Sequence, residues 1–301
     1  MPNFVEVFID DENKPTNIPR YETIIRQSIA LRPDQATDIN TSGVRLTLSK
    51  TSDTDVSDIW VKFGEEISMG EAMTQRFVAQ HLESNQIAAV RAPRVYLAFT
   101  WGHDGFIVTE YIDGKMCDDS DIPLVVAAVQ YLITIQSPSP TPGRIGGGLI
   151  EHPFFIERTA SVWYDSVKEL QAHINGILRC TGRSLRVDFS PELEGQSLPL
   201  CVSDLVLVNF MKDSDGKIVA VDFGGYSFLP RSFFGFALDP PQGGRSLLRE
   251  RLIKILCYQR SATVSALVSA SLALIPYMNN NVGLPKELRS RINGPHTPSL
   301  V

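Results

Sequence analysis

The sequence predicts an α+β chain of two lobes, a small one built on antiparallel strands and a larger, mainly helical one. Three observations predict it. Between residues 43 and 110, short strand-like runs surround a single helical stretch. From residue 122 onward, long apolar runs of helical character dominate. One further hairpin, "VNFMKDSDGKIVAVDF", interrupts them and carries polar residues where a buried strand should be dry.

Residues 1 to about 40 are polar, with helical periodicity in "YETIIRQSIALR". "GVRLTLS" (43–49) alternates as a strand does. "KTSDTDVSD" is a polar turn, and "IWVKFG" (59–64) is a second strand closed by Gly64. "SMGEAMTQRFVAQHLE" (68–83) reads as a helix: Ser68 can cap it, Glu71 follows three residues later as in a capping box, and Met73, Phe77 and Val78 recur at helical spacing. "APRVYLAFTWGHDGFIVTEYI" gives two strands around a Gly-His-Asp-Gly turn. These pieces define an extension and small lobe (1–110), a hinge (111–114) and a larger lobe (115–301).

In the larger lobe, "IPLVVAAVQYLITIQ" (122–136) has the length of a core helix. "SPSPTPGRIGGG" cannot be one and reads as a long surface loop. "ERTASVWYDSVKELQAHINGIL" (157–178) is expected to be a second helix, with Val162, Val167, Leu170 and Ile174 near one face. "LCVS" leads to a loop, "VNFMKD" and "KIVAVDF" are strands, and the chain after Pro230 is mostly helical to about 277. Phe228, Phe233, Phe234 and Phe236 read as core; any that line a site would make its ligand partly apolar.

Composition excludes several classes. The chain has 301 residues, 43% hydrophobic, enough for a sizeable core. Net charge is −6 with no basic stripe, which argues against nucleic acid as a partner. Four scattered cysteines and five scattered histidines form no zinc pattern and suit a reducing compartment. The acidic start carries no signal pattern. The most apolar stretch, "SATVSALVSASLALIPY", is short and serine-rich for a membrane span. A cytoplasmic protein with no membrane partner is expected.

The chemistry gathers in "CVSDLVLVNFMKDSDGKIVAVDFGG" (201–225). Asp204 and Asn209 are five apart, and Asp222 follows the next strand within Asp-Phe-Gly. Phosphoryl transfer uses this spacing. It needs little covalent help, only metal ions on the phosphates and a group to receive the acceptor's proton. Asn209 and Asp222 offer an amide and a carboxylate oxygen to a hard cation such as Mg²⁺, and Asp204 is placed as a base. Upstream, Lys62 lies in a strand before the helix that bears Glu71, the order expected of a phosphate-binding lysine and its carboxylate partner. In "FIVTEYIDG", backbone groups near Glu110 and Ile112 are candidates for an adenine edge.

With these residues in view, the chain resembles the aminoglycoside phosphotransferase and choline-kinase-like family, in particular its divergent members abundant in fungi. "WVKFGEEISMGEAMTQRFVA", "PRVYLAF", "GFIVTEYIDG", "LCVSDLVLVNFMKDSDGKIVAVDFGGYSFLP" and, more loosely, "GRIGGGLIEHPFF" carry the resemblance, which spans roughly 43 to 240. It implies a bilobal protein-kinase-like fold and ATP with Mg²⁺ in the cleft. It also implies phosphoryl transfer to a small-molecule hydroxyl. Lys62 would hold the nucleotide phosphates, Glu71 would orient Lys62, Asp204 would be the base, and Asn209 and Asp222 the metal ligands.

The sequence departs from that family at three places. Val202 stands where the family carries a histidine that braces the loop, so packing alone is expected to brace it here. "LVLV" makes the loop after Asp204 unusually apolar. The turn "SKTSDTDVSD" has no glycine, and Asp53, Asp55 and Asp58 would repel phosphate if they faced it. Two functions therefore stand side by side. One is a small-molecule kinase. The other is a member whose cleft no longer transfers phosphate: a pseudokinase, a ligand-binding protein or a biosynthetic enzyme of other chemistry. A protein kinase is disfavoured because no Ala-Pro-Glu follows Asp222, and an aminoglycoside acceptor because no acidic run follows 230.

Overall fold

The computed structural model describes residues 4–31, 43–50, 52, 55–193, 197–241, 244 and 246–292. Its small lobe is a five-stranded antiparallel sheet of β1 (Val5–Asp10), β2 (Gly43–Thr47), β3 (Asp58–Gly64), β4 (Val95–Trp101) and β5 (Asp104–Glu110), in the order β1-β4-β5-β3-β2. The helices α1 (Tyr21–Ala30) and α2 (Met69–Ser84) cover its two faces. Strand β1 corrects the sequence expectation, which gave the first forty residues helical character only. The chain there supplies an edge strand, joined to β4 by backbone pairing.

The period-two alternation of strands sorts side chains between the two helices. In β3, Val61 and Phe63 join Val44, Leu46, Phe106 and Val108 beneath α1. Lys62 faces the other way. It sits opposite Ile107, which packs with Met69 and Ala72 of α2. The strand pattern thus aims one lysine at the helix that follows. Phe99, Phe106 and Phe63 stack in sequence, with centroids 4.9 and 5.5 Å apart, and stiffen the α1 face.

Residues 111–113 lead into the larger, mainly helical lobe, which gives the two-lobed α+β arrangement expected from the sequence. This lobe begins with β6 (Gly114–Met116) and α3 (Ile122–Leu132), followed by α4 (Val167–Cys180). The strand β7 (Leu200–Val202) precedes a hairpin of β8 (Phe210–Asp213) and β9 (Ile218–Ala220), and β10 (Tyr226–Phe228) pairs back onto β7. The helices α5 (Arg231–Leu238), α6 (Leu247–Ile255) and α7 (Ala262–Leu274) complete it. One extensive core runs through the lobe and includes Phe228, Phe233 and Phe236, while Phe234 packs partly buried against it. Among the described residues no helix is long and apolar enough to cross a membrane. All four cysteines are free thiols.

Three boundaries differ from expectation. Helix α4 starts at Val167, where Ser166 caps it by accepting the Glu169 N–H, so the segment from 157 to 166 is not α-helical and holds only the end of a 3₁₀ turn (Ile156–Arg158). Val162 is buried from a loop rather than from a helix face. Val208 and Asn209 belong to a 3₁₀ turn (Leu207–Asn209) instead of a strand. The Pro/Gly-rich segment 137–148 is no free surface excursion. Ser137 N–H donates to Leu198, and Gly143 exchanges both backbone hydrogen bonds with Phe228 at 2.9 and 2.7 Å.

Candidate active site

The hairpin and the small lobe meet at Lys62. Its ammonium lies 2.6 Å from Glu71 Oε1 and 3.1 Å from Asp222 Oδ1. Glu71 is carried there by the start of α2: Ser68 Oγ accepts the Glu71 N–H, which fixes the first turn. The reciprocal half of the expected capping box is not made, because the Glu71 carboxylate turns to Lys62 instead. Burial would push Lys62 down, but two carboxylates more than offset this and hold it above the ordinary lysine range. Burial likewise pushes Asp222 up, and the Lys62 charge and the Gly224 N–H outweigh it, so Asp222 stays below the ordinary carboxylate range. Removing Lys62 would cost about 3–5 kcal/mol, since the buried Glu71 loses its ion-pair partner, whereas removing Glu71 would cost less because Asp222 still pairs Lys62.

Asp204 follows β7 and is held from several directions. Asn209 Nδ2 donates to both Asp204 O and Asp204 Oδ2 at 3.1 Å. Val221 N–H donates to Asn209 O at 3.0 Å, which joins this turn to the strand leading to Asp222. Gly225 lies directly under Asp204: a Cβ built on it would stand 2.9 Å from the Asp204 Cβ, closer than real Cβ contacts come. The expected brace at Val202 takes another form. Val202 is fully buried, but polar bracing is also present: Ser203 Oγ and Ser203 N–H both donate to Gly225 O, at 2.7 and 3.1 Å.

At the hinge, Glu110 N–H donates to Arg94 O and the Glu110 carboxylate receives Arg91 and the Arg94 N–H. Ile112 is buried, and among the described residues neither its N–H nor its C=O makes a hydrogen bond. A cavity of about 1090 Å³ opens at this hinge, lined by Arg45, Asp58, Arg91, Glu110, Tyr111 and Asp113. Two acidic residues of the turn, Asp55 and Asp58, line this cavity. Asp55 accepts from Thr16 and the Ser52 N–H, and Asp58 from Arg45 and Thr47; Asp53 lies outside the described residues.

Two arginines enter the site unannounced by the sequence. Arg144, from the Pro/Gly-rich segment, is buried and donates to Ser68 Oγ, Glu151 Oε1 and Gly224 O, so it ties the start of α2 to the loop bearing Asp222. Arg158 reaches Asp204 Oδ1 at 3.1 Å. Arg144 lies in a stretch already singled out as "GRIGGG". Arg158, 46 residues before Asp204, has no local signal at all.

The oxygen donors fit a hard cation. Asn209 spends its amide N–H groups on Asp204, which leaves Oδ1 as an acceptor, and Asp222 Oδ2 makes no hydrogen bond among the described residues. Described His, Cys, Asp and Glu side chains form no metal-holding group of three or more, so a cation here would complete its shell from ligand oxygens and water.

No protein-family profile and no curated protein matches the chain. Among solved structures it is similar to a fructosamine-3-kinase from Haemophilus somnus (14% identity, 79% of this chain and 85% of that one, TM-score 0.41). It is similar to a thermostable mutant of the aminoglycoside phosphotransferase APH(4)-Ia (14%, 79% and 87%, 0.43). It is also similar to the choline kinase LicA from Streptococcus pneumoniae (16%, 85% and 99%, 0.34).

Proposed function

We propose that the chain is an ATP- and Mg²⁺-dependent phosphotransferase acting on a small-molecule hydroxyl. The observation that carries this reading is the convergence of Lys62, Glu71 and Asp222 within 3.1 Å contacts, beside an Asp204–Asn209 pair in the loop that leads into the β8–β9 hairpin. Lys62 is charged and held by Glu71, ready to bind phosphate oxygens. Asp222 and Asn209 present oxygens suited to Mg²⁺, which when bound would neutralise phosphate charge. Asp204 accepts the proton of the incoming hydroxyl. The open backbone groups of Ile112 suit an adenine edge, and the carbonyl of Glu110 can share that task.

The test is direct. Binding of ATP with Mg²⁺ to the native state raises its melting temperature, with a stabilisation of about 2.7 kcal/mol at a hundredfold excess over Kd. Asp204→Asn is expected to bind ATP and lose turnover by about 10²–10⁴-fold. No thermal shift at millimolar ATP and Mg²⁺, or full turnover in the Asn variant, would overturn the reading.

A further inference from the structure

Beside Asp204 lies a cavity of about 470 Å³. Phe155, Ile156, Val206, Phe236 and Ile275 give it largely apolar walls. Val206, two residues beyond the base, leaves over a third of its surface uncovered. The charged groups of the cavity are Glu157, Arg158, Asp204 and Arg249. The two arginines balance the two acids, and Arg158 is already matched by Asp204, so what a ligand meets here is an ion pair it must open to reach the base.

Arg158 is presented by a built turn. Glu157 and Arg158 both have positive φ, 54° and 62°, a left-handed conformation that non-glycine residues adopt only when the surroundings hold them there. Hydrogen bonds hold it from both sides. Arg158 N–H donates to Phe155 O at 3.1 Å and His152 N–H to Arg158 O at 2.7 Å. Asn280, at the edge of full burial, receives the Ile156 N–H and donates to Ile156 O and Thr159 O. The side chain so presented is half exposed and rests on Asp204 Oδ1, while Asn209 occupies Oδ2. A hydroxyl that approaches Asp204 therefore competes with a guanidinium for Oδ1.

We infer that the acceptor is a largely apolar hydroxy compound bearing an acidic group, and that this group takes Arg158 from Asp204 as the hydroxyl arrives. An anion gives the guanidinium a second partner of equal charge, so the base is released without leaving Arg158 unpaired. An amine could displace Arg158 only by pairing with Asp204 itself, which would leave Arg158 without a partner and the base still occupied. The role of Asp204 in this inference rests on the phosphotransferase reading; the preference for an acid does not.

The test uses the full chain and a panel of apolar hydroxy acids of about six to twelve carbons, a range suited to a pocket of this size. Each acid is paired with its methyl ester and its amino-alcohol counterpart, and kanamycin is included. Binding is measured by calorimetry, with and without ATP and Mg²⁺. The expected result is that acids bind about tenfold or more tighter than their esters and amines, equivalent to ~1.4 kcal/mol. Arg158→Gln should bring that ratio close to one, and Arg158→Lys should keep part of it. Failure of every acid to bind, equal or tighter binding of amines or kanamycin, or undiminished discrimination in Arg158→Gln would each overturn the inference. Acid binding without any ATP binding would instead refute the phosphotransferase reading and leave the acid site standing. Phosphorylation of neutral or cationic alcohols in preference to acids would refute the acid preference alone.

Discussion

At Val202 a single residue decides how the Asp204 loop is held. The side chain is fully buried, and the backbone on either side is fixed by β7–β10 pairing and by the two Ser203 bonds to Gly225 O. The work assigned to a histidine in the resembled family is thus shared between apolar packing and the next residue's hydroxyl. Ser203→Ala should cost about 1 kcal/mol, the net worth of one hydrogen bond whose acceptor keeps a second donor. Val202→His should not repair anything. A larger, polar ring in a filled space costs about 1–3 kcal/mol in overpacking before any penalty for a buried unsatisfied nitrogen. Urea unfolding of the two variants checks both numbers, and a Val202→His protein more stable than the parent would contradict the account.

Elements meet at Arg144, which joins the segment 137–148, the start of α2 and the loop after Asp222. Gly146 lets the segment lie this close: its φ is +80°, and a Cβ there would stand 2.3 Å from Met73 Sδ. Arg144→Ala leaves Gly224 O and Glu151 without their donor and should cost about 2 kcal/mol, with faster amide exchange in the first turn of α2. Unchanged exchange at Glu71 and Ala72 would show that Arg144 does not tether the helix. The sequence made the local half of this arrangement legible. Alternation in β3 aims Lys62, Ser68 marks the turn that carries Glu71, and the spacing from Asp204 to Asp222 marks the hairpin. The rest depends on contacts distant in sequence. Strand β1 carries Val5, Val7 and Ile9 at alternate positions, but Val7 is exposed and the register shifts between Val7 and Ile9, so the signal is short and backbone pairing sets its place. In the stretch before α4, Ala160, Val162 and Tyr164 are buried two apart around Ser161 and Trp163, an extended spacing too short to stand out from the helical pattern of Val167, Leu170 and Ile174 that follows. Arg158 is aimed by Asn280, more than a hundred residues away.

The molecule as a whole hides two histidines in the core of its larger lobe, and they set its response to acid. His152 Nδ1 accepts the Phe154 N–H while Nε2 donates to Phe233 O. His173 pairs Nδ1 with the Tyr164 hydroxyl and Nε2 with Val282 O. Each ring has one donor and one acceptor role filled, so each is neutral, and a second proton would meet a donor rather than an acceptor. Burial pushes His152 down to about 3 and His173 down to about 4. The unfolded chain protonates both near pH 6.5, so it binds more protons than the native state below that pH, and stability falls as pH falls. Between pH 7.5 and 5 each histidine should remove about 2 kcal/mol, roughly 4 together. Lys62 and Asp222 do not enter this window. The raised lysine contributes fully until pH climbs past the ordinary lysine range, and the depressed aspartate until pH drops below the ordinary aspartate range. Denaturant unfolding at pH 7.5 and 5.0 measures the difference, and His173→Gln should reduce it by about half. Equal stability at the two pH values would mean that neither ring is held neutral in the core.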